Sequence, residues 1–301
     1  MARGELSRET LEPVMSYAHP EALVSTEWLA AHLDDPKVAI VDGSFTLPGV
    51  TPTAQQNYAS RHLAGAVFFD IDQIADHGNP LPHMLPTPDA FARAAGALGL
   101  GDGQRIVVYD LAGLGAAPRV WWMLRIFGHA DVAVLDGGLP KWLAEGRPVT
   151  QDVPHPPVRR FTARFDPRLV RSKDELVANL ASRREVVVDA RSGGRFAGTA
   201  AEPRPGLRAG HIPGSVNLPS NELADAKTKT VLGADALAAR LAAAGLSPDR
   251  PVVASCGSGV SACVIAFGMH LVGWPAVAIY DGSWSEWGLP GDTPIATGPA
   301  G

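Results

Sequence analysis

The sequence predicts an α/β protein of two tandem domains, each a mostly parallel sheet flanked by helices. Three observations carry that expectation. Short apolar runs alternate with segments of helical apolar spacing along most of the chain. The same order of segments occurs twice, at offsets between 145 and 149 residues, as Asp42 and Asp189 or Asp110 and Cys256 illustrate. The length of 301 residues suits two domains of ordinary size.

The first half opens with a short strand and a helix in residues 23–35, the helix capped by Ser25. Residues 38–42 read as a buried strand, and residues 61–67 as a turn into Phe68, Phe69, Asp70, Ile71 and Asp72. Helical spacing over 89–98 ends in the segment from Gly99 to Gly103. A strand at 106–110, a tryptophan-rich helix at 117–127 and a strand at 132–135 follow. The turn Asp136-Gly137-Gly138 then leads into a helix around Trp142.

The second half repeats this order. Residues 186–189 answer 38–42, 210–216 answer 61–67, 252–256 answer 106–110, and 279–287 answer the segment from Leu135 to Trp142. A repeat of this length is a duplicated domain, not a solenoid. Residues 151–165 hold three prolines, adjacent Arg159 and Arg160, and little periodicity, so they read as a linker. The expected division is a non-catalytic domain at 20–150, a linker at 151–166 and a catalytic domain at 167–290. Trp121, Trp122 and Trp142 are expected in the core. The Asp-Gly turns at 136 and 281 are expected to be fold elements without chemistry.

Composition excludes several classes. A net charge of −5 argues against nucleic acid and against anionic membrane surfaces. Two cysteines supply neither a disulfide framework nor a zinc-ligand set, and they suit a reducing, cytoplasmic setting. No uncharged apolar run is long enough to span a bilayer. The first twenty residues mix Arg3 and Arg8 with Glu5, Glu9 and Glu12, which predicts a disordered leader instead of a signal peptide.

The chemistry is expected at Cys256. An apolar strand at 252–254 ends beside it, Gly257, Ser258 and Gly259 form a tight loop, and helical spacing runs over 260–269. A loop entering a helix points backbone N–H groups at one spot and favours an anion there. The thiolate is the nucleophilic form of cysteine, so Cys256 is the candidate covalent centre. The partner position in the first half is Asp110, which cannot act as a sulfur nucleophile, so only the second half is expected to be competent. Cys263, inside the apolar helix with no glycine beside it, reads as core.

Cys-Gly-Ser-Gly-Val-Ser-Ala at 256–262, Gly-Arg-Phe-Ala-Gly-Thr at 194–199, Glu-Pro-Arg at 202–204, Phe-Phe-Asp-Ile-Asp-Gln at 68–73 and His-Met-Leu-Pro at 83–86 resemble the two-domain rhodanese family. The likeness is to its 3-mercaptopyruvate sulfurtransferase branch and covers roughly residues 20–290. Thiosulfate-preferring members usually carry Arg and Lys after the cysteine, where this chain has Gly257 and Ser258. The branch usually has Thr at 261 and an acidic residue at 200, where this chain has Ser261 and Ala200. The resemblance implies that Arg195 and Arg204 hold the α-keto carboxylate, a role suited to a bidentate guanidinium. Arg191 and Arg208 nearby leave open a simpler reading, a generally basic surface. The resemblance also implies that Ser258, His83 and Asp72 relay a proton to the departing enolate. Backbone groups of Gly257, Ser258, Gly259, Val260 and Ser261 would stabilise the outer sulfur. The implied reaction loads Cys256 with a persulfide from 3-mercaptopyruvate, releases pyruvate, and passes the sulfur to cyanide or to a thiol such as thioredoxin. No metal or organic cofactor is expected.

Three rivals remain. A thiosulfate:cyanide sulfurtransferase would use the same nucleophile with another donor. A non-enzymatic persulfide carrier would bind without turnover. A phosphatase on this fold would need Arg six residues after the cysteine, where the chain has Ala262.

Overall fold

Two sheets of five parallel strands, in the same strand order, form the framework of this computed structural model, which describes residues 16–299. The expected leader lies mostly outside the described residues. In the first half, β1 (Leu23–Val24), α1 (Thr26–Ala31), β2 (Val38–Asp42), α2 (Ala54–Ser60), β3 (Val67–Phe68), α3 (Pro88–Ala97), β4 (Arg105–Tyr109), α4 (Ala117–Ile126), β5 (Val132–Leu135) and α5 (Gly138–Ala144) follow one another. The second half matches them with β6 (Val170–Arg171), α6 (Lys173–Ser182), β7 (Val186–Asp189), α7 (Gly193–Ala197), β8 (Val216–Asn217), α8 (Ala234–Ala243), β9 (Val252–Ser255), α9 (Ala262–Leu271), β10 (Ala278–Tyr280) and α10 (Ser283–Trp287). The sheet orders are β1-β5-β4-β2-β3 and β6-β10-β9-β7-β8. The duplicated α/β architecture is therefore as the sequence predicts.

Local chemistry explains the helix starts. The Ser25 hydroxyl accepts the Trp28 N–H at 3.0 Å, as its position before α1 requires. Thr53 with Gln56 and Ser172 with Glu175 make reciprocal capping boxes for α2 and α6. The second central helix begins two residues later than its apolar spacing suggests. Gly259 at φ +76° keeps the loop out of helical conformation until Ala262.

β4 and β9 are the middle strands of their sheets and are buried on both faces, so their apolar runs are nearly continuous. Ligands of such sheets bind beyond the C-terminal strand ends. Those ends carry Asp110 in one half and Cys256 in the other.

The halves join through α4 and α9, both buried almost all round. Trp121 meets Phe267 edge-on at 5.1 Å, and one hydrophobic cluster runs through both domains. The N-terminal segment adds a tie. Ala18 and His19 donate their N–H groups to Leu271 O, and the Tyr17 hydroxyl donates to Leu232 O, all in the second domain.

Residues 151–166 hold no helix or strand, yet they do not hang free. Arg159 N–H bonds Gly96 O, Arg164 N–H bonds Phe127 O and Asp166 N–H bonds Ile126 O, while Phe161 is buried against Phe91. The segment is a strap docked on the first domain. Among the described residues no helix is long and apolar enough to cross a membrane.

Candidate active site

Cys256 follows β9 immediately, and its loop is fixed from below by the turn after β10. The Ser283 hydroxyl accepts the N–H groups of Cys256 and Gly259, each at 3.1 Å, and donates to Tyr280 O. Cys256 O accepts Trp284 N–H, and Gly257 O accepts both the N–H and the hydroxyl of Ser285. Ser283 holds φ +48°, a left-handed conformation rare for a residue with a side chain. The Asp-Gly-Ser turn is thus more than a fold element, because it sets the position of the Cys256 loop. Sequence gave one usable signal, the serine at 283 where the first half has Gly138.

With those bonds made, the amides of Gly257, Ser258, Val260 and Ser261 carry no protein hydrogen bond among the described residues. The first half displays what such a cradle does. The Asp110 carboxylate accepts four N–H groups there, from Ala112, Gly113, Gly115 and Ala117, at 2.7–2.8 Å. A loop of this kind is an anion site.

A cavity of about 340 Å³ opens over Cys256, between the two domains. The second domain lines it with Cys256, Gly257, Ser258, Val260, Ser261, Arg195 and Arg204. The first domain contributes Phe45, Leu47 and Leu111 among others. The structure thus gathers nearly all the residues singled out in the second half around one space. Gly259 is not on the wall; it packs beneath, where a Cβ would lie 2.9 Å from Asp281 O.

Arg195 and Arg204 are not members of a basic surface. Arg191 is buried, paired with Asp189 and Glu202 and bonded to Gly210 O, with its guanidinium 4.2 Å from the Trp284 ring centroid. Arg208 bonds the carbonyls of Trp287, Gly291 and Thr293. The expectation of a basic surface fails because these two guanidiniums serve as internal struts. Glu202 then links Arg191 to Arg195, reaching Arg195 NH2 at 2.5 Å. Glu202 carries no expected role in the sequence, where it stands two residues before Arg204 in Glu-Pro-Arg. Arg195 NH2 lies over the loop, so that a Cβ on Gly257 would stand 2.9 Å from it. Ala200 is exposed, so the acid missing there is missing from the surface.

His83 and Asp72 are not on the cavity wall and connect to it through Arg204. His83 Nδ1 lies 2.5 Å from Asp72 Oδ1, and His83 Nε2 lies 3.1 Å from Arg204 NH2. A guanidinium only donates, so Nε2 accepts and Nδ1 carries the proton toward Asp72. The hydrogen bond from His83 holds the Asp72 carboxyl below the usual carboxylate range. Burial lowers the Arg204 guanidinium from its ordinary value. The expected Ser258–His83 contact is absent among the described residues, since Arg204 stands at Nε2 instead. Cys263 is fully buried, and its thiol donates to Gly259 O at 3.2 Å. Burial pushes that thiol well up, which keeps it protonated.

A model of the rhodanese-like domain matches residues 25–145 and again 172–289. The chain is 43% identical over 272 residues to human 3-mercaptopyruvate sulfurtransferase, covering 88% of this chain and 91% of that protein. It is 42% identical over 290 residues to bovine thiosulfate sulfurtransferase, covering 93% and 97%. The crystal structure of SseA from Escherichia coli, described as a 3-mercaptopyruvate sulfotransferase, superposes with a TM-score of 0.80 at 39% identity, covering 88% of this chain and 99% of that one. Two matched domains in one chain, with a cysteine loop only in the second, identify this protein as a member of the rhodanese family.

Proposed function

We propose that the protein is a 3-mercaptopyruvate sulfurtransferase working through a persulfide on Cys256. The observation that carries this reading is Arg195 and Arg204 lining the cavity that holds Cys256, in a site whose loop itself brings no cation. Two guanidiniums reaching in from outside the loop suit a donor whose carboxylate and transferable sulfur are separated by carbons. A doubly charged inorganic donor would favour cations on the loop itself. Bovine thiosulfate sulfurtransferase is as similar in sequence as the mercaptopyruvate enzymes, so overall identity does not choose the donor. The loop bears on it: Gly257 and Ser258 place no cation beside Cys256, and a side chain at 257 would have to push the Arg195 guanidinium aside.

In this mechanism the Cys256 thiolate attacks the donor sulfur, the carbon–sulfur bond breaks, and pyruvate departs as its enolate. The free loop amides receive the negative charge of the outer sulfur, as the amides around Asp110 receive a carboxylate. The donor's thiol proton must then reach the enolate carbon. His83 Nε2, once free, can take that proton and pass it on while Asp72 holds Nδ1–H, with Ser258 on the same wall as Cys256. Arg204 is shared in this reading. It faces His83 Nε2, and a donor carboxylate that engages the guanidinium would free that nitrogen. An acceptor thiol or cyanide takes the outer sulfur and restores the thiolate. Two free cysteines, both buried, favour a reducing compartment such as the cytoplasm.

The test is intact-protein mass after brief exposure to 3-mercaptopyruvate, with thiosulfate in parallel. The expected result is a gain of one sulfur, faster from mercaptopyruvate at low concentration, removed by cyanide and absent in Cys256→Ser. Faster loading from thiosulfate would assign the chain to the other branch. No gain from either donor would leave a binding module.

A further inference from the structure

One side chain ties together nearly every part of this site without lining it. Arg119, on α4 of the first domain, has no solvent exposure. Its NH1 donates to Asp281 Oδ1 at 2.7 Å and to Gly259 O, inside the cysteine loop, at 3.2 Å. Its NH2 donates to His83 O at 2.7 Å. Asp281 Oδ2 in turn accepts the Leu85 N–H at 2.8 Å. The guanidinium lies 4.8 Å from the Trp122 ring centroid.

We infer that Arg119 is a positioning residue of the sulfur-transfer reaction, holding His83 of the first domain in register with the Cys256 loop of the second. The inference rests on the reading that the donor leaves as an enolate to which His83 passes a proton. His83 sits at φ +54°, a conformation that a residue with a side chain keeps only when its surroundings hold it. The two bonds that bracket it, at its own carbonyl and at the Leu85 N–H, both run to the Arg119–Asp281 pair. A buried ion pair adds little stability over apolar packing of the same volume, because desolvation offsets the attraction. What this pair adds is direction. A planar guanidinium reaches the His83 carbonyl and the Gly259 carbonyl at once, which a lysine ammonium on a flexible stem does not reproduce.

The experiment uses the full chain and three variants: Arg119→Lys, Asp281→Asn, and Arg119→Met combined with Asp281→Asn. Each is assayed for the rate of one-sulfur loading from 3-mercaptopyruvate, the rate of Cys256 alkylation by iodoacetamide, and thermal midpoint. Alkylation reads the thiolate and its loop and needs no proton delivery. Arg119→Lys is expected to load about 10²-fold more slowly, the contribution of a placed general acid, with alkylation nearly unchanged. The charge-neutral double variant is expected to recover thermal midpoint without recovering loading. Wild-type loading in either Arg119 variant would overturn the inference. So would parallel losses of loading and alkylation, which would reduce Arg119 to support of the loop. A wild-type protein that is alkylated normally but never loads from mercaptopyruvate would instead sink the functional reading, and this inference with it.

Discussion

The loops after β4 and β9 are the same device with different occupants. Both leave the middle strand of a five-strand sheet, both turn on a left-handed glycine (Gly113 and Gly259), and both enter a buried helix. In the first loop a carboxylate from the chain itself, Asp110, takes four amide hydrogen bonds and is finished as a structure. In the second, Ser283 takes two amides away, and the remaining ones face no protein partner among the described residues. The comparison teaches that reactivity here comes from leaving a cradle incomplete. One half fills its cradle with a carboxylate of its own; in the proposed mechanism a sulfur anion takes that place in the other.

The strongest way to break this comparison is at the nucleophile. Cys256→Ser should lower sulfur loading at least about 10³-fold, because a hydroxyl is a poor nucleophile at neutral pH. Its thermal midpoint should barely move; preserved loading would end the covalent model. The partner substitution should do the reverse. Asp110→Asn leaves an NH2 group facing backbone donors and should cost about 2–4 kcal/mol by denaturant unfolding. Loading per folded molecule should fall far less than in Cys256→Ser, although Asp110 borders the cavity. An Asp110→Asn protein as stable as the wild type would show that the four bonds are not what holds that loop.

The turns beneath the loops can be exchanged. Gly138→Ser puts a Cβ 2.6 Å from Asp110 O on a residue at φ +51°, and should destabilise by about 1–3 kcal/mol. Ser283→Gly relieves a left-handed serine but frees the Cys256 and Gly259 amides. Stability should change little, while loading slows about tenfold, or ~1.4 kcal/mol in the barrier. Equal effects of the two swaps on loading would erase the distinction between the halves.

The smallest effect lies at the far end of the α4–α9 seam. His270 stacks on His19 at 4.3 Å and rests against Trp121. Burial first, then the charges of Arg125 and His19, lower its pKa from 6.5 to about 4, with Glu21 opposing. A depressed histidine pKa means that the unfolded chain binds the proton first as pH falls. Stability should therefore decline from about pH 6.5 down to about 4 and level off below. His270→Gln should flatten that window in urea titrations; an unchanged slope would place the dependence elsewhere.

The sequence carried the duplication and the parallel sheets, and it singled out Cys256 as the candidate nucleophile, because strand periodicity and the Gly-x-Gly loop are local signals. It carried Arg195 and Arg204 only through resemblance. Nothing in the spacing separated them from Arg191 and Arg208, whose burial depends on Asp189, Glu202 and carbonyls distant in the chain. Arg119 was hidden for the same reason, an arginine in a tryptophan-rich helix whose partners lie on three other segments. Asp72 and His83 were legible as a pair, yet the residue at His83 Nε2 was not, because it comes from the other domain.

The N-terminal tie has a consequence for synthesis. Ala18 and His19 find their acceptor, Leu271 O, only in the second domain. Domains form in order as a polypeptide emerges, so the first domain is complete long before its leading segment can dock. The cavity, walled by both domains, does not exist on a growing chain. The loop that carries the cysteine belongs to the domain made second, so a nascent polypeptide has no place for a donor until both domains have emerged.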